Sequence, residues 1–126
     1  MDYSFVITEF DSDDVDNSTP VINGRTENWI NLTDSTFFTH RIGSNITTKI
    51  TEMSWNDNMQ RIQSFIDREI LRINEKILND KTRLYEITYF LAFIKVGPND
   101  VKNTQDDIKR NTDILNFLKS YIIKEK

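Results

Sequence analysis

A stripe of isoleucine and leucine in the second half of the chain constrains its fold more than any other sequence feature. Its apolar members recur at alternating spacings of four and three residues, which places them along one face of a helix. They are Ile66, Ile70, Ile73, Ile77, Leu84, Ile87, Leu91 and Ile94, and the polar Asp80 occupies one position of the same series. No glycine or proline interrupts residues 54–96, and Gly97-Pro98 then ends the pattern. The spacing therefore predicts one long helix over about 54–96.

A second, shorter stripe predicts a C-terminal helix over about 100–124. Its members are Val101, Ile108, Leu115, Leu118 and Ile122. Asn99 or Asp100 can cap this helix directly after the Gly-Pro stop. Because the connection is so short, the two helices are expected to pack as an antiparallel coiled-coil hairpin.

A third periodic segment lies before the long helix. Apolar residues at Phe38, Ile42, Ile46, Ile50 and Met53 recur at helical spacing, and Thr33 or Asp34 can serve as an N-cap. Gly43 and several threonines oppose a helix here, because β-branched side chains lose rotamer freedom in helices. The pattern predicts an extra helix over about 34–53.

Composition agrees with an all-α chain. The 126 residues fit a single domain, and only three glycines and two prolines are present. Scarce turn formers suit long helices better than a sheet with many turns. There is no cysteine, which excludes disulfides, thiolate catalysis and cysteine-ligated metals.

Charge divides the chain into an acidic beginning and a nearly neutral remainder. Residues 1–53 contain nine acids and three bases, a net charge of −6, whereas residues 54–126 contain eleven acids and thirteen bases, a net of +2. We therefore expect an acidic, largely disordered leader over 1–24, an uncertain segment over 25–53 and the helical hairpin over 54–126. The small positive charge of the hairpin gives no support for nucleic-acid binding.

The sequence offers no support for catalysis. His40 is the only histidine, so a surface or capping role is favoured over a general base or a metal ligand. No phosphate-binding loop, no GxSxG nucleophile motif and no Glu-x-x-His pair is present. We therefore expect a protein that is not an enzyme and that has no catalytic residue, metal site or cofactor.

Partner binding is the function that the stripes favour. The long helix outruns the shorter one, so its first half lacks a partner within the hairpin and its apolar seam needs cover from other chains. The predicted partner-binding residues are Met59, Ile62, Gln63, Ile66, Ile70, Ile73, Ile77 and Asp80. The prediction is a non-enzymatic coiled-coil subunit or adaptor that assembles with helical chains of other proteins, or with copies of itself.

The acidic leader provides an alternative function. Phe5-Val6-Ile7 and Phe10, followed by Asp11 and further acids, resemble a SUMO-interacting motif, with Glu9 at the usual fourth apolar position. This resemblance implies a regulator that presents its N-terminal segment as an added strand from a helical anchor. A small homo-oligomeric viral or phage structural protein is a third alternative.

Localisation follows only from what the sequence lacks. The first residues form neither a basic n-region nor an apolar h-region, so a secretory signal is not expected. No apolar run approaches the roughly 20 residues that span a bilayer. We therefore expect a cytoplasmic or nuclear protein without a membrane span.

Overall fold

A computed structural model of the chain contains a four-stranded antiparallel sheet followed by two helices. The structure describes residues 1–15, 19–43, 46–90 and 98–126. The strands are β1 (Ser4–Val15), β2 (Thr19–Asn31), β3 (Thr36–Gly43) and β4 (Ile46–Met53), and the helices are α1 (Met59–Phe90) and α2 (Pro98–Ser120). A short 3-10 turn over Asn56–Asn58 leads into α1.

The chain divides into two compact units. The sheet unit contains Met1–Phe65 and Ile123–Lys126, so it includes all four strands and the beginning of α1. The helical unit contains Ile66–Ile122.

Strand order in the sheet follows chain order, and every neighbouring pair is antiparallel. Side chains alternate between two faces, because successive residues of a strand point in opposite directions. The inner face carries the buried residues Phe5, Ile7, Asn28, Ile30 and Phe37. Phe5, Ile30 and Phe37 form one cross-strand row of this face.

The core of the sheet unit is closed by the first turns of α1. Phe37 has no exposed surface, and its ring meets the ring of Phe65 nearly perpendicularly, with centroids 6.0 Å apart. The Arg61 guanidinium lies over both rings, 5.6 Å from the centroid of Phe37 and 5.4 Å from that of Phe65. Trp55 and Ile62 are buried in the same unit. Edge-to-face aromatic contact and a stacked guanidinium together hold the helix to the sheet.

A β-bulge interrupts the long hairpin of β1 and β2. The pairing changes from Asp11 opposite Gly24 to Ser12 opposite Ile22, so β2 carries one extra residue there. A Cβ atom on Gly24 would lie 3.0 Å from the carbonyl oxygen of Ile42 in β3. Glycine therefore permits the close approach of β2 and β3 beside the bulge.

The last residues of the chain return to the sheet unit. The Trp55 indole nitrogen donates a hydrogen bond to the carbonyl oxygen of Lys124 (3.0 Å). The Asn56 side chain pairs with the backbone of Lys126, accepting from its N–H at 2.7 Å and donating to its carbonyl oxygen at 3.4 Å. These bonds tie residues 123–126 to the segment that precedes α1.

The helical unit buries apolar residues from both helices. Ile66, Ile73 and Ile77 of α1 and Leu115 and Leu118 of α2 are at most 8% exposed. Three polar side chains of the same helices are also buried, namely Glu69 of α1 and Thr104 and Asn111 of α2. The Glu69 carboxylate accepts hydrogen bonds from the Arg72 guanidinium one turn later, including one of 2.7 Å from Nε. A buried charge needs such partners, because desolvation strongly disfavours an isolated carboxylate.

The all-α prediction is wrong, since the protein is a mixed α/β chain. Instead of an extra helix over 34–53, the structure has β3 and β4. Instead of a disordered acidic leader, it has β1 and the beginning of β2, so cross-strand pairing organises a segment whose composition alone suggested disorder.

The coiled-coil interpretation is also wrong. The chain is a sheet followed by two helices, and no coiled-coil arrangement is found in the part of it that the structure describes. The apolar face of α1 is divided instead, because Ile62, which precedes the stripe, is buried in the sheet unit whereas Ile66, Ile73 and Ile77 belong to the helical unit. The predicted helix over 54–96 corresponds to α1, which begins later, and residues 91–97 lie outside the described residues. The helix predicted over 100–124 is α2, with Pro98 at its first position, where proline is favoured.

The adjacent phenylalanines Phe37 and Phe38 provide a direct test of this fold. We expect Phe37→Ala to lower the free energy of unfolding of the sheet unit by about 3–5 kcal/mol, because it empties a fully buried site. The matched variant Phe38→Ala removes a half-buried ring from the opposite face and should cost about 1 kcal/mol or less. Tryptophan fluorescence in urea isolates this unit, since Trp29 and Trp55, the only two tryptophans, both lie in it. Equal losses for the two variants would contradict the assignment of faces.

Candidate interaction surface

The outward face of the sheet carries large apolar side chains that the chain itself leaves uncovered. Val6 of β1 lies opposite Trp29 of β2, and Trp29 lies opposite Phe38 of β3, so the three form one cross-strand row. Val6 is 50% exposed and Trp29 is 40% exposed. An exposed row of this kind is unusual on a solvated sheet face, where polar residues normally alternate with the buried ones.

This row forms the floor of a pocket of about 550 Å³ in the sheet unit. Its apolar lining comes from Val6, Trp29 and Phe38, together with the inward-facing neighbours Phe5 and Ile30. Its polar lining lies at the end of the sheet near the β2–β3 turn and consists of Ser4, Asn31, Asp34 and Thr36. We call this set of residues the Trp29 pocket.

The β2–β3 turn sets the polar rim of the Trp29 pocket. The Asn31 side-chain oxygen accepts hydrogen bonds from the backbone N–H groups of Thr33 and Asp34, both at 2.9 Å. Its amide nitrogen donates to the Asp34 carboxylate at 3.2 Å. Ser35 adopts a left-handed backbone conformation with φ of 55°, which completes the turn. Asn31 therefore fixes the position of the Asp34 carboxylate beside the pocket.

A polar pair adjoins the Trp29 pocket on the next row of the outward face. His40 of β3 lies opposite Glu27 of β2, and their side chains are joined by a hydrogen bond of 2.8 Å between Nδ1 and Oε1. The His40 ring also meets the edge of Trp29, with centroids 6.0 Å apart. Tryptophan is thereby held in one orientation by its neighbour on the same face. Ile50 of β4 (53% exposed) lies directly opposite His40 on this row, and Phe10 of β1 (61% exposed) lies on the next row of the outward face.

A second exposed apolar surface lies on α1 within the helical unit. Leu71, Leu78, Tyr85 and Tyr89 are each at least 63% exposed. The first three are seven residues apart, which places them on one side of the helix. Tyr85 and Tyr89 stack with their ring centroids 6.1 Å apart. We call this set the α1 stripe.

The predicted partner-binding residues all lie on α1, and most of them are buried or half-buried. Ile62, Ile66, Ile73 and Ile77 are buried, and Met59, Ile70 and Asp80 are half-buried, while Gln63 is exposed. Met59, Ile62 and Gln63 belong to the sheet unit and the remainder to the helical unit. Their role in binding a partner stays a prediction.

The residues of the predicted linear motif lie in β1 and divide between the two faces. Phe5 and Ile7 are buried on the inner face, whereas Val6 and Phe10 are exposed on the outward face. Phe5 and Val6 are the two of them that line the Trp29 pocket, and Val6 is the one on its outward face.

Trp29 was not among the residues predicted from the sequence to bind a partner. It faces outward, whereas Ile30 and Leu32 are buried. No local signal separates them, because Trp29 and Ile30 are both apolar and the polar Asn28 takes an inward position.

Residues 1–15, 19–43, 46–90 and 98–126 contain no group of three or more histidine, aspartate or glutamate side chains placed to hold a metal ion. Within those ranges, no helix combines the length and apolar character needed to cross a membrane.

Comparison with known proteins identifies no relative. No protein-family profile matches this chain, and no curated protein or solved structure shows significant similarity to it.

The β2–β3 turn yields a testable prediction. Asn31→Ala removes the acceptor for two backbone N–H groups and should lower the free energy of unfolding of the sheet unit by about 1 kcal/mol. Hydrogen exchange at the Thr33 and Asp34 amides should become faster, as measured by NMR. Ser35→Gly is the matched variant in the same turn, and it should leave stability unchanged or raise it by up to about 1 kcal/mol, because glycine adopts positive φ without strain. Unchanged exchange in Asn31→Ala would rule out this account of the turn.

Proposed function

We propose that this chain is a non-enzymatic interaction subunit that binds another protein through the outward face of its sheet, with the Trp29 pocket at the centre of the contact. The observation that carries the proposal is the row of exposed Val6, exposed Trp29 and half-buried Phe38, which lines a pocket open to solvent. Exposed apolar patches of soluble proteins mark interaction sites, and tryptophan is enriched among the residues that dominate binding energy.

The extent of the surface favours a protein over a small molecule. Phe10 and Ile50 continue the exposed apolar surface beyond the Trp29 pocket, on rows that a small ligand in the pocket would leave uncovered. A protein partner can cover the pocket and these rows together. The Glu27–His40 pair between them offers hydrogen-bonding groups that fix the orientation of such a partner.

The α1 stripe supports a second interaction surface of a different kind. Leu71, Leu78 and Tyr85 present apolar groups at seven-residue intervals, which suits an amphipathic helix lying alongside. This second candidate keeps the expectation that the chain assembles with helices of other proteins or with a second copy, but assigns it to exposed residues rather than to the buried isoleucine seam. Cytoplasmic or nuclear localisation remains a proposal.

Selection from a random peptide library tests the sheet face. The full chain, immobilised and folded, should enrich peptides that compete with one another and that lose at least about tenfold in affinity for Trp29→Ser, because the central aromatic anchor is removed. Affinities are measured by fluorescence anisotropy of labelled peptides.

The double variant Leu71→Ser/Leu78→Ser is the matched control, because it removes exposed apolar groups from the α1 stripe instead. It should bind the enriched peptides like the original chain, and circular dichroism should show that both variants remain folded. If the enriched peptides bind Trp29→Ser normally but fail to bind the α1 variant, the interaction surface is the α1 stripe rather than the sheet face. Absence of any Trp29-dependent peptide would refute the proposed function.

A further inference from the structure

We infer that the Trp29 pocket accepts a basic side chain, lysine or arginine, from the partner protein. This inference rests on the proposed function and adds the chemical class of the group that the pocket recognises. It follows from the combination of aromatic walls, a carboxylate rim and the distribution of charge on this end of the sheet.

The walls of the pocket suit a cation with an apolar stem. Trp29 and Phe38 contribute aromatic rings from neighbouring strands, and Val6 extends the apolar floor to the edge strand. A ring face attracts a cation electrostatically, and tryptophan does so most strongly. The methylene groups of lysine or arginine can lie on the apolar floor while the charged group reaches the rim.

Carboxylates stand at the rim where that charged group would lie. Asp34 lines the Trp29 pocket and also lines an adjoining polar depression, which contains Asp2 as well. Glu52 of β4 lies opposite Phe38 and is exposed on the outward face. Asp34 therefore lines the pocket itself, Asp2 lies in the depression beside it, and Glu52 lies across from Phe38 in a further depression that also contains Lys126.

No base among the described residues lines the Trp29 pocket beside Asp34. Neither the Trp29 pocket nor the depression beside it is lined by a lysine, arginine or histidine, as far as the described residues extend. His40 lies on the next row, where its ring nitrogen is hydrogen-bonded to Glu27. The nearest lysine or arginine in register on the outward strands is Arg25, four residues before Trp29, which places it about 13 Å along β2. That distance exceeds the screening length of about 8 Å at physiological salt, so Arg25 contributes little at the pocket.

The Asp34 carboxylate is positioned yet still able to bind. One of its oxygens accepts a hydrogen bond from the Asn31 amide at 3.2 Å, which orients the group without cancelling its charge. In the described part of the chain no basic side chain lies within salt-bridge distance of Asp34. A neutral apolar group would fill the same pocket without using this carboxylate, and an acidic group would be repelled by it.

Peptides enriched in the selection on the full chain provide the probes. We expect a lysine or arginine in the Trp29-dependent peptides, and replacement of that residue by norleucine, which keeps the stem and removes the charge, should weaken binding about tenfold. Arginine and lysine versions of each peptide show which cation is preferred. Binding of the basic versions should weaken between 50 and 500 mM sodium chloride, and binding of the norleucine versions should not.

Charge-neutralising variants of the protein identify the rim. Asp34→Asn keeps an oxygen that can accept from Asn31, and it should weaken the basic peptides about three- to fivefold, with a further loss when Asp2→Asn is added. Asp57→Asn is the matched control, because Asp57 is an exposed acid of the same unit that does not line the pocket. It should leave the affinity unchanged.

Two results would overturn the inference without touching the proposed function. The first is that the Trp29-dependent peptides lack a basic residue. The second is that the norleucine versions bind as tightly as the basic ones. If no Trp29-dependent peptide is found, the proposed function fails and the inference fails with it.

Discussion

The contact between Phe37 and Phe65 is the interaction on which the sheet unit depends. It joins the inner face of the sheet to the beginning of α1, and it does so with a phenylalanine that has no exposed surface. A sheet face as apolar as this one must be covered, because burial of apolar surface is the main favourable term in folding. Covering one face with a helix leaves the other face open. The Trp29 pocket exists on that open face.

The segment 34–53 shows why the fold was not predicted from sequence. Phe38, Ile42, Ile46 and Ile50 are four residues apart, and a spacing of four fits one face of a helix. The same spacing also fits one face of a strand, since four is a multiple of two. The threonines between these positions favoured the strand and Gly43 opposed the helix, so these residues carried the information that periodicity lacked. The scarcity of glycine and proline was misleading in the same way, because a four-stranded antiparallel meander needs only a few of these residues.

Other elements were closer to the prediction. A continuous helix without glycine or proline was predicted from the isoleucine stripe, and α1 occupies Met59–Phe90 within that range. The stripe could not reveal which neighbour covers each part, because an apolar face looks the same whether a sheet or a helix lies against it. The candidate site was beyond reach for the related reason that the adjacent residues Trp29 and Ile30 of β2, one outward and one inward, are both apolar. Trp29 and Ile30 are distinguished only by the register of three strands, which no local pattern encodes.

Phe37 and Phe38 are identical in chemistry and adjacent in sequence, yet one maintains the core and the other lines the surface. Because side chains alternate along β3, packing of the core and formation of the outward surface fall on different residues and do not compete. Substitutions at Val6, Trp29 and Phe38 can reshape the Trp29 pocket while Phe5, Ile30 and Phe37 keep the sheet folded. A chain built in this way can change its outward surface in small steps, each of which passes through a folded protein.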